Sequence, residues 1–358
     1  MKVLKKVLKK VLKILIGIGF GLLILFAILV LLPEKETVPP LRPRANTKHW
    51  QMKNGFKIAY THHTGEAGTL RTPVVFLHGG PGAYVHSSSI HIFKTLSSLG
   101  HDVYLYDQAG SGLSDRRPRY SDISFSTHMR DLHEIVTKHI GAKRVILIGH
   151  SFGALLAAHF SAEHPDLVEK IVFSSPAVMQ PPLSDSTGPV DLSRKYPTPE
   201  NLEYRRPYDF GHDVDRAVLQ PKAVVATTGA LLFDLKLVSD EQMDRLLNTL
   251  IAKASQGAVC DSTRPFPQEG GMGLYAFIAT NNYSKLMDVR HKLRELDIPV
   301  LVLHGQCDFI PYAAAYEYVD LYKNGRFVFI ENAGHVIWWE QTENYIRTIA
   351  GFLNEERQ

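Results

Sequence analysis

The chain has 358 residues, a length that suits one large domain or two small ones. Of these residues 45% are hydrophobic and 21% are charged, as in an ordinary globular protein. Its formal net charge of +4 arises at the N-terminus, where residues 1–13 contain six lysines and no acid. Without those six, 34 Lys and Arg face 36 Asp and Glu, so the folded part is not basic and nucleic acid is an unsuitable partner.

The N-terminus predicts a membrane anchor. The repeat KVLKKVLKKVLK leads into an uncharged apolar run, residues 14–32. As a helix this run spans roughly 28 Å, close to the hydrocarbon core of a bilayer at about 30 Å. A cleaved signal peptide usually has a shorter apolar region that ends in small residues, whereas this run ends in VLLPEKE. We favour an uncleaved span; a cleaved signal and a buried core helix are the alternatives.

The lysines also set the expected orientation. Positive flanks stay inside, so residues 1–13 are predicted to be cytoplasmic and the catalytic domain to lie on the outer or periplasmic side. Residues 33–46 are proline-rich and polar, which is typical of a stiff spacer. The two cysteines, Cys260 and Cys307, form no C-x-x-C pair and indicate neither a zinc site nor a dithiol site. If the domain lies outside the cytoplasm, the two cysteines could form a disulfide, but we favour free thiols.

From residue 47 onward, strands and helices alternate. Asn54-Gly55, between two alternating stretches, predicts a hairpin. The next strands are predicted in TPVVFLHGGPG, HDVYLYDQAGSG, KRVILIG and EKIVFSSP, and the helices in STHMRDLHEIVTKHI and FGALLAAHFSAEHP. Strands resume in IPVLVLHG and RFVFIEN, and a helix from about Trp338 to Leu353 follows.

This order predicts an α/β fold with a mostly parallel sheet, helices on both faces and an antiparallel edge from the hairpin. The core is expected in two parts, residues 47–176 and 296–358. Between them, residues 177–295 break the pattern into loops and short helical pieces. An interruption of that length is too long for a crossover, so we predict a mainly helical cap inserted over the site.

The sequence GHSFG places Ser151 between a buried strand and a helix with almost no turn between them. Such a sharp bend strains the serine and requires small neighbours, which Gly149 and Gly153 provide. The motif alone is common, but in this strand–turn–helix context it indicates a nucleophile. An ordinary turn serine is the alternative.

A serine hydroxyl needs a base to accept its proton and an acid to orient that base. Such groups belong at the carboxyl ends of parallel strands. Asp308 follows PVLVLHG and His335 follows RFVFIENAG, so the predicted triad is Ser151, Asp308 and His335. Two other histidines nearby, His150 and His304, are expected to be structural.

An acyl-transfer enzyme must also stabilise an oxyanion. The amide of Phe152, directly after the nucleophile, is one predicted donor, and the amide of Gly80 in HGGPG is the other. His78 is interpreted as a brace for that glycine-rich loop and Asp107, in DQAGSGLS, as a structural hydrogen-bonding residue. We expect no metal and no cofactor.

The motifs HGGPG, DQAGSGLS, GHSFGA, GQCD and NAGH together resemble the α/β-hydrolase superfamily, and within it the proline iminopeptidase-like serine peptidases. The resemblance covers about residues 48–355 except the middle of the cap. It implies the same triad and the same oxyanion donors, Gly80 and Phe152. Those peptidases usually have tryptophan where this chain has Phe152 and arginine where it has Ala109, and they bind the substrate amine with cap glutamates.

We therefore expect a membrane-anchored serine hydrolase that cleaves a small amide or ester through an acyl-enzyme on Ser151. Its expected partners are a small-molecule or short-peptide substrate and the membrane. Aminopeptidase activity and carboxylesterase activity both stay open. A non-catalytic binding protein on the same fold is the alternative of another class, and the intact triad and oxyanion loop argue against it.

Overall fold

The computed structural model describes residues 2–44, 46–66, 71–185, 188–205, 219–281, 283 and 286–355, without the side chains of residues 2–8 and 23. The side chains of the first lysines in the predicted flank, and residues 206–218 of the predicted cap, therefore lie outside what is described.

An eight-stranded sheet forms the centre of the fold, as the alternating pattern predicted. Its order is β1-β2-β4-β3-β5-β6-β9-β10, and every pairing from β4 to β10 is parallel. The strands are β1 (Lys48–Gln51), β2 (Lys57–His63), β3 (Arg71–Leu77), β4 (His101–Tyr106), β5 (Val145–His150), β6 (Val168–Ser174), β9 (Val300–Gly305) and β10 (Gly325–Ile330); a separate hairpin pairs β7 (Ser184–Asp185) with β8 (Gly188–Pro189).

The antiparallel edge is the hairpin predicted at Asn54-Gly55. Strands β1 and β2 pair with Trp50 opposite Ile58, and Gly55 supplies the positive φ, 85°, of the turn. The Trp50 ring stacks on Tyr60 with ring centroids 3.8 Å apart. Strand β2 then pairs antiparallel with β4, which attaches the hairpin to the parallel part of the sheet.

Helices cover both faces of the sheet. Leu147 of β5 belongs to the core on one face, whereas Ile146 and Ile148 belong to the core on the other, so this strand is buried on both sides as its uninterrupted apolar run predicted. The helices are α1 (Lys2–Leu31), α2 (Ser87–Lys94), α3 (Phe125–Glu134), α4 (Phe152–Glu163), α5 (Leu192–Lys195), α6 (Pro221–Phe233), α7 (Asp240–Ala254), α8 (Leu274–Thr280), α9 (Arg290–Leu293), α10 (Tyr312–Asp320), α11 (Ile337–Glu340) and α12 (Thr342–Asn354). Short 3-10 turns occupy Thr95–Leu99, Tyr120–Asp122, Pro165–Leu167 and Ser255–Ala258, and a π-helical turn, Ile135–Ile140, extends α3.

Residues 177–295, called the insertion from here on, carry helices α5 to α9. Part of it has a small core of its own, in which Ala226 of α6, Met243 and Leu247 of α7 and Tyr275 of α8 are buried together. Tyr84, from the loop after β3, joins this cluster. The insertion is therefore packed on the carboxyl edge of the sheet through the same loop that carries HGGPG.

The N-terminal helix α1 contains a segment, Lys9–Leu31, that is long and apolar enough to cross a membrane, with a mean hydropathy of 3.1 in its most apolar window. The segment predicted as a stiff spacer has contacts with the insertion. The Glu34 amide donates to Gln242 Oε1 at 2.7 Å, and the hydroxyls of Thr37 and Thr249 are 2.6 Å apart. A proline-rich composition indicates stiffness, but it does not reveal that a partner surface exists more than 200 residues away.

Candidate active site

Ser151 occupies the bend between β5 and α4. Its φ of 53° and ψ of −119° lie outside the ordinary allowed regions, which is the strained conformation predicted for this turn. The Ser151 amide donates to the Ser174 carbonyl at 3.0 Å, and its own carbonyl accepts from Ala154 and Ala177. These bonds to β6, to α4 and to the chain after β6 hold the strained residue in place.

The two glycines of the motif are required by close packing. A Cβ at Gly149 would lie 2.6 Å from the Ala154 Cα, and a Cβ at Gly153 would overlap the Leu77 carbonyl. The first turn of α4 therefore lies directly against the end of β3. The sequence-based explanation, that small residues must flank the serine, is correct for both positions.

His335 and Asp308 meet across the ends of β9 and β10. His335 Nδ1 and Asp308 Oδ1 are 2.8 Å apart, and Asp308 is fully buried. Burial by itself would raise the pKa of Asp308, but the charge and hydrogen bond of His335, with smaller contributions from His304 and the Ile310 amide, hold it well below its usual range. Asp308 is therefore a carboxylate that accepts from the imidazole.

Ser151 and His335 both line one cavity of about 380 Å³ at the carboxyl edge of the sheet. Among the described hydrogen bonds, none joins the Ser151 hydroxyl to the imidazole. The walls are mostly apolar and aromatic, and no Asp or Glu stands among the lining residues that the structure describes. The apolar and aromatic lining comprises Phe76, Ala83, Tyr84, Ile251, Ala258, Phe266, Met272, Phe277, Phe309, Val336 and Trp338.

The two predicted oxyanion donors lie beside the serine. Gly80 lines the cavity with a φ of 114°, where a Cβ would lie 2.5 Å from the Ala83 nitrogen. Its neighbour Gly79 approaches so closely that a Cβ there would be 2.9 Å from the Ser151 Cβ. Phe152 is the first residue of α4, where backbone amides have no partner inside the helix.

The residues expected to be structural have structural contacts. His78 Nε2 accepts from the Gln108 amide at 2.9 Å, and burial lowers the pKa of His78 to about 4. Asp107 accepts from the amides of Val85 and Leu113 at 2.7 and 2.8 Å. His78 and Asp107 therefore connect the HGGPG and DQAGSG loops to their surroundings.

The other two histidines are also buried. Burial, followed by the charge of His335, lowers the pKa of His150 well below its usual value, and its ring centroid lies 4.8 Å from that of His335. His304 is closer to the predicted triad than the sequence indicated, because its Nδ1 lies 3.5 Å from Oδ2 of Asp308.

The prediction of free thiols is wrong. Cys260 and Cys307 form a disulfide, with Cα atoms 5.1 Å apart, that joins the insertion to the residue directly before Asp308. Spacing along the chain gives no information about this pair, because the fold brings together residues 47 positions apart. The only available signal is the predicted orientation, since disulfides persist in oxidising compartments.

Sequence reasoning also missed Glu340. Its carboxylate accepts from the amides of Cys260, Asp261 and Gly334 at 2.7 to 3.0 Å. The His335 amide in turn donates to the Ala258 carbonyl at 2.8 Å. Segment 258–261 of the insertion is thus bonded to the loop that carries the histidine.

Among the described residues, no group of three or more His, Cys, Asp or Glu side chains is arranged to hold a metal ion.

Comparison with known proteins places the chain in a family. A family model described as alpha/beta hydrolase fold matches residues 72–342. A proline iminopeptidase of Saccharolobus solfataricus is 25% identical over 284 residues, which are 79% of this chain and 84% of the relative. A proline iminopeptidase of Heyndrickxia coagulans is 27% identical over 300 residues, 79% of this chain and 91% of the relative.

Among solved structures, an esterase from Exiguobacterium antarcticum matches with a TM-score of 0.55 at 19% identity, over 86% of this chain and 99% of that one. At this identity the likeness concerns the fold alone. The family match, the proline iminopeptidase relatives and the sheet topology agree with one another. The chain is therefore a hydrolase that belongs to the alpha/beta hydrolase fold family and resembles its proline iminopeptidase-like branch.

Proposed function

We propose that this protein is a membrane-anchored serine hydrolase that cleaves a small amide or ester through an acyl-enzyme on Ser151. The observation that carries the proposal is the strained Ser151 turn, which faces the same cavity as a histidine bonded to a buried carboxylate. A merely structural serine needs neither the strain nor this pair opposite it.

In the first step, the Ser151 oxygen attacks the substrate carbonyl carbon while His335 Nε2 takes the hydroxyl proton. Asp308 accepts from His335 Nδ1, which fixes the tautomer that leaves Nε2 free to act as a base and stabilises the imidazolium once it forms. The carboxylate stays ionised in this role, because its pKa is held below the usual range.

The carbonyl oxygen becomes an oxyanion in the tetrahedral intermediate. The amides of Gly80 and Phe152 are the proposed donors, and losing one such donor typically costs about 2.7–4 kcal/mol of transition-state stabilisation. The intermediate collapses when His335 returns the proton to the leaving amine or alcohol. Water then attacks the acyl-enzyme by the same route, which releases the acid and restores Ser151.

The insertion acts as a cap in this proposal. Ile251, Met272 and Phe277, all from the insertion, line the cavity together with Ser151. An apolar wall opposite the nucleophile excludes water and selects the substrate. The insertion therefore contributes to substrate preference together with the core residues that line the same cavity.

Two substrate classes remain in competition. The relatives named proline iminopeptidase favour a peptide or aminoacyl amide with a free N-terminus. The cavity favours an uncharged acyl group, because its described lining residues include no Asp or Glu and a buried ammonium group needs a partner. The second class includes acyl esters of the carboxylesterase type.

The chemistry is tested with a fluorophosphonate probe on the wild-type protein and on Ser151→Ala. We expect labelling of the wild type only and loss of turnover by about 10⁶-fold in the variant, as for other serine nucleophiles. Turnover by Ser151→Ala at the wild-type rate overturns the assignment.

The substrate class is tested with proline p-nitroanilide, its N-acetylated form and p-nitrophenyl acyl esters. An aminopeptidase requires the free amine and rejects the acetylated compound, whereas an acyl hydrolase accepts the blocked compound and the esters.

The anchor is tested by fractionation. Full-length protein is expected in the membrane fraction after carbonate and salt washes, and protease added to intact cells or spheroplasts is expected to reach the hydrolase domain. A mature chain that begins near residue 33 identifies a cleaved signal instead.

A further inference from the structure

The end of helix α6 carries an exposed apolar surface. Leu231, Leu232, Phe233, Leu235 and Leu237, called the apolar ridge below, are each 55% to 69% exposed. Single exposed leucines are ordinary on soluble proteins, but five large apolar side chains within seven residues are not.

The ridge is held in a defined conformation. Asp234, in the middle of it, has a φ of 55° and turns the chain back on the helix. The Asp234 carboxylate accepts from both the amide and the hydroxyl of Ser121, each at 2.7 Å. Gly229 leaves room for the returning chain, because a Cβ there would lie 2.5 Å from the Leu237 Cγ. The bonds of Asp234 and the packing at Gly229 therefore fix the turn that holds these apolar side chains toward the solvent.

Transfer of residues 219–237 toward an apolar phase carries only a small desolvation penalty. The described charges between residues 219 and 237 are Lys222, Asp234 and Lys236, and each is already bonded within the protein. Lys222 pairs with Glu34 at 2.9 Å and Lys236 with Asp240 at 2.7 Å. Desolvation of the ridge therefore does not require the burial of an unpaired charge.

The same helix begins at the end of the membrane-span candidate. The span ends at Leu31, and Lys222 in the first turn of α6 donates to the carbonyl of Leu32. Two further exposed apolar residues, Leu219 and Val224, lie at this end of α6. Exposed apolar side chains thus occur at both ends of a helix that is bonded to the membrane span.

A groove of about 540 Å³ lies beside this helix and next to the candidate active site. Val224 and Leu231 line it on the side of α6. Phe277 and Asn281 line both this groove and the cavity that contains Ser151. Among the described lining residues, these two side chains are the ones common to both, so they form the border between groove and cavity.

We propose that the apolar ridge docks into the outer leaflet of the bilayer that helix α1 spans, and that the groove passes an acyl chain from that leaflet past Phe277 to Ser151. The substrate class is then a membrane-resident amphiphile with an ester or amide bond near its headgroup. This inference rests on the proposed anchoring and on the proposed serine chemistry.

Docking is measured on the full-length protein in phosphatidylcholine proteoliposomes. Because the two native cysteines form a disulfide, Leu232→Cys provides a single thiol for an environment-sensitive fluorophore. The matched control is Asp166→Cys, an exposed residue before β6 at the amino edge of the sheet, opposite the insertion. We expect nitroxide-labelled lipids to quench the probe at 232 and to leave the probe at 166 unquenched.

Delivery is measured with the triple variant Leu232→Ser, Phe233→Ser, Leu235→Ser, whose residues are not among those that line the cavity or the groove. We expect hydrolysis of a long-chain acyl ester within the vesicles to fall by about tenfold or more, because apolar contact with the leaflet is lost. Hydrolysis of water-soluble p-nitrophenyl acetate should stay at the wild-type rate. The apolar variant Leu232→Met, Phe233→Leu, Leu235→Met should behave as wild type on both substrates.

Equal quenching at 232 and 166, or equal loss on both esters, overturns docking. Shielding of the probe at 232 from lipid, together with disulfide cross-linking of unlabelled Leu232→Cys to a second copy, assigns the ridge to a dimer and also overturns docking. Failure of the underlying proposals is distinguishable: a chain that carbonate extracts has no anchor, and a Ser151→Ala variant that still turns over p-nitrophenyl acetate has no serine chemistry. Either result removes the basis of the inference.

Discussion

The turn at Ser151, the proposed nucleophile, and the loops that carry Asp308 and His335 are held mainly by different parts of the molecule. Ser151 is fixed by the sheet and by α4, through the Ser174 carbonyl and the tight packing of Gly149 and Gly153, and it contacts the insertion at its first residue, Ala177. The loops of Asp308 and His335 are instead tied to the middle of the insertion, by the Cys260–Cys307 disulfide and by the contact between His335 and Ala258.

The geometry between Ser151 and the Asp308–His335 pair therefore depends on two separate sets of contacts. Damage to the middle of the insertion should move Asp308 and His335 while the turn at Ser151 stays in place. Damage to the packing of α4 on β3 should do the reverse.

The largest expected effect comes from Asp308→Asn. The amide removes the charge that orients His335, so kcat should fall by about 10⁴-fold, as in comparable triads. Steady-state kinetics measures the loss, and a fall of less than tenfold contradicts the proposed role of the carboxylate.

The same variant has a stability readout. Because the folded-state pKa of Asp308 is lowered, its carboxylate contributes stability that is present above the unfolded pKa of about 3.9 and is lost as the pH falls toward the folded value. Acid unfolding followed by circular dichroism should show this dependence in the wild type and a weaker one in Asp308→Asn.

Removal of the disulfide by Cys260→Ser with Cys307→Ser should cost about 4 kcal/mol of unfolding free energy, from the chain entropy of a loop of 47 residues. Denaturant unfolding measures this change. Hydrogen exchange then separates the two regions: the amides of Cys260, Cys307 and His335 should exchange faster, whereas those of Ser151 and Ala154 should keep their protection. Equal acceleration in both regions contradicts the comparison.

Gly153→Ala tests the other region, the packing of α4 on β3 beside Ser151. The added methyl overlaps the Leu77 carbonyl, so the free energy of unfolding should fall by about 1–3 kcal/mol or more. Gly351→Ala in α12 is the matched control, because a Cβ there meets nothing within 4 Å and alanine favours the helix by about 0.5–1 kcal/mol. The two variants should change the unfolding midpoint in opposite directions.

The smallest effect is expected for Glu340→Gln. The amide keeps one acceptor oxygen but loses the charge that strengthens the bonds from Cys260, Asp261 and Gly334. We expect kcat to fall by about tenfold with KM unchanged, because His335 is displaced while the cavity is retained. Glu343→Gln, at an exposed position in the next helix, should have no effect. A change in KM alone assigns Glu340 to substrate binding.

Much of the site was accessible from the sequence. The bend at Ser151 requires a strand, a serine and two glycines that are contiguous, and steric demands within a few residues can be read directly. The loops that carry Asp308 and His335 were found because each directly follows an apolar strand. The hairpin at Asn54-Gly55 and the long apolar N-terminal helix depended on local patterns in the same way.

The contacts that join these local elements to one another depend on the tertiary structure. The disulfide, the bonds of Glu340 to Cys260 and Asp261 and the packing of Glu34 on Gln242 connect residues that are 47 to 208 positions apart, and no local pattern encodes such pairs. The same holds for the lining of the cavity, which combines loops of the core with helices of the insertion. Backbone preferences act over a few residues, whereas packing and burial depend on which surfaces the folded chain brings into contact.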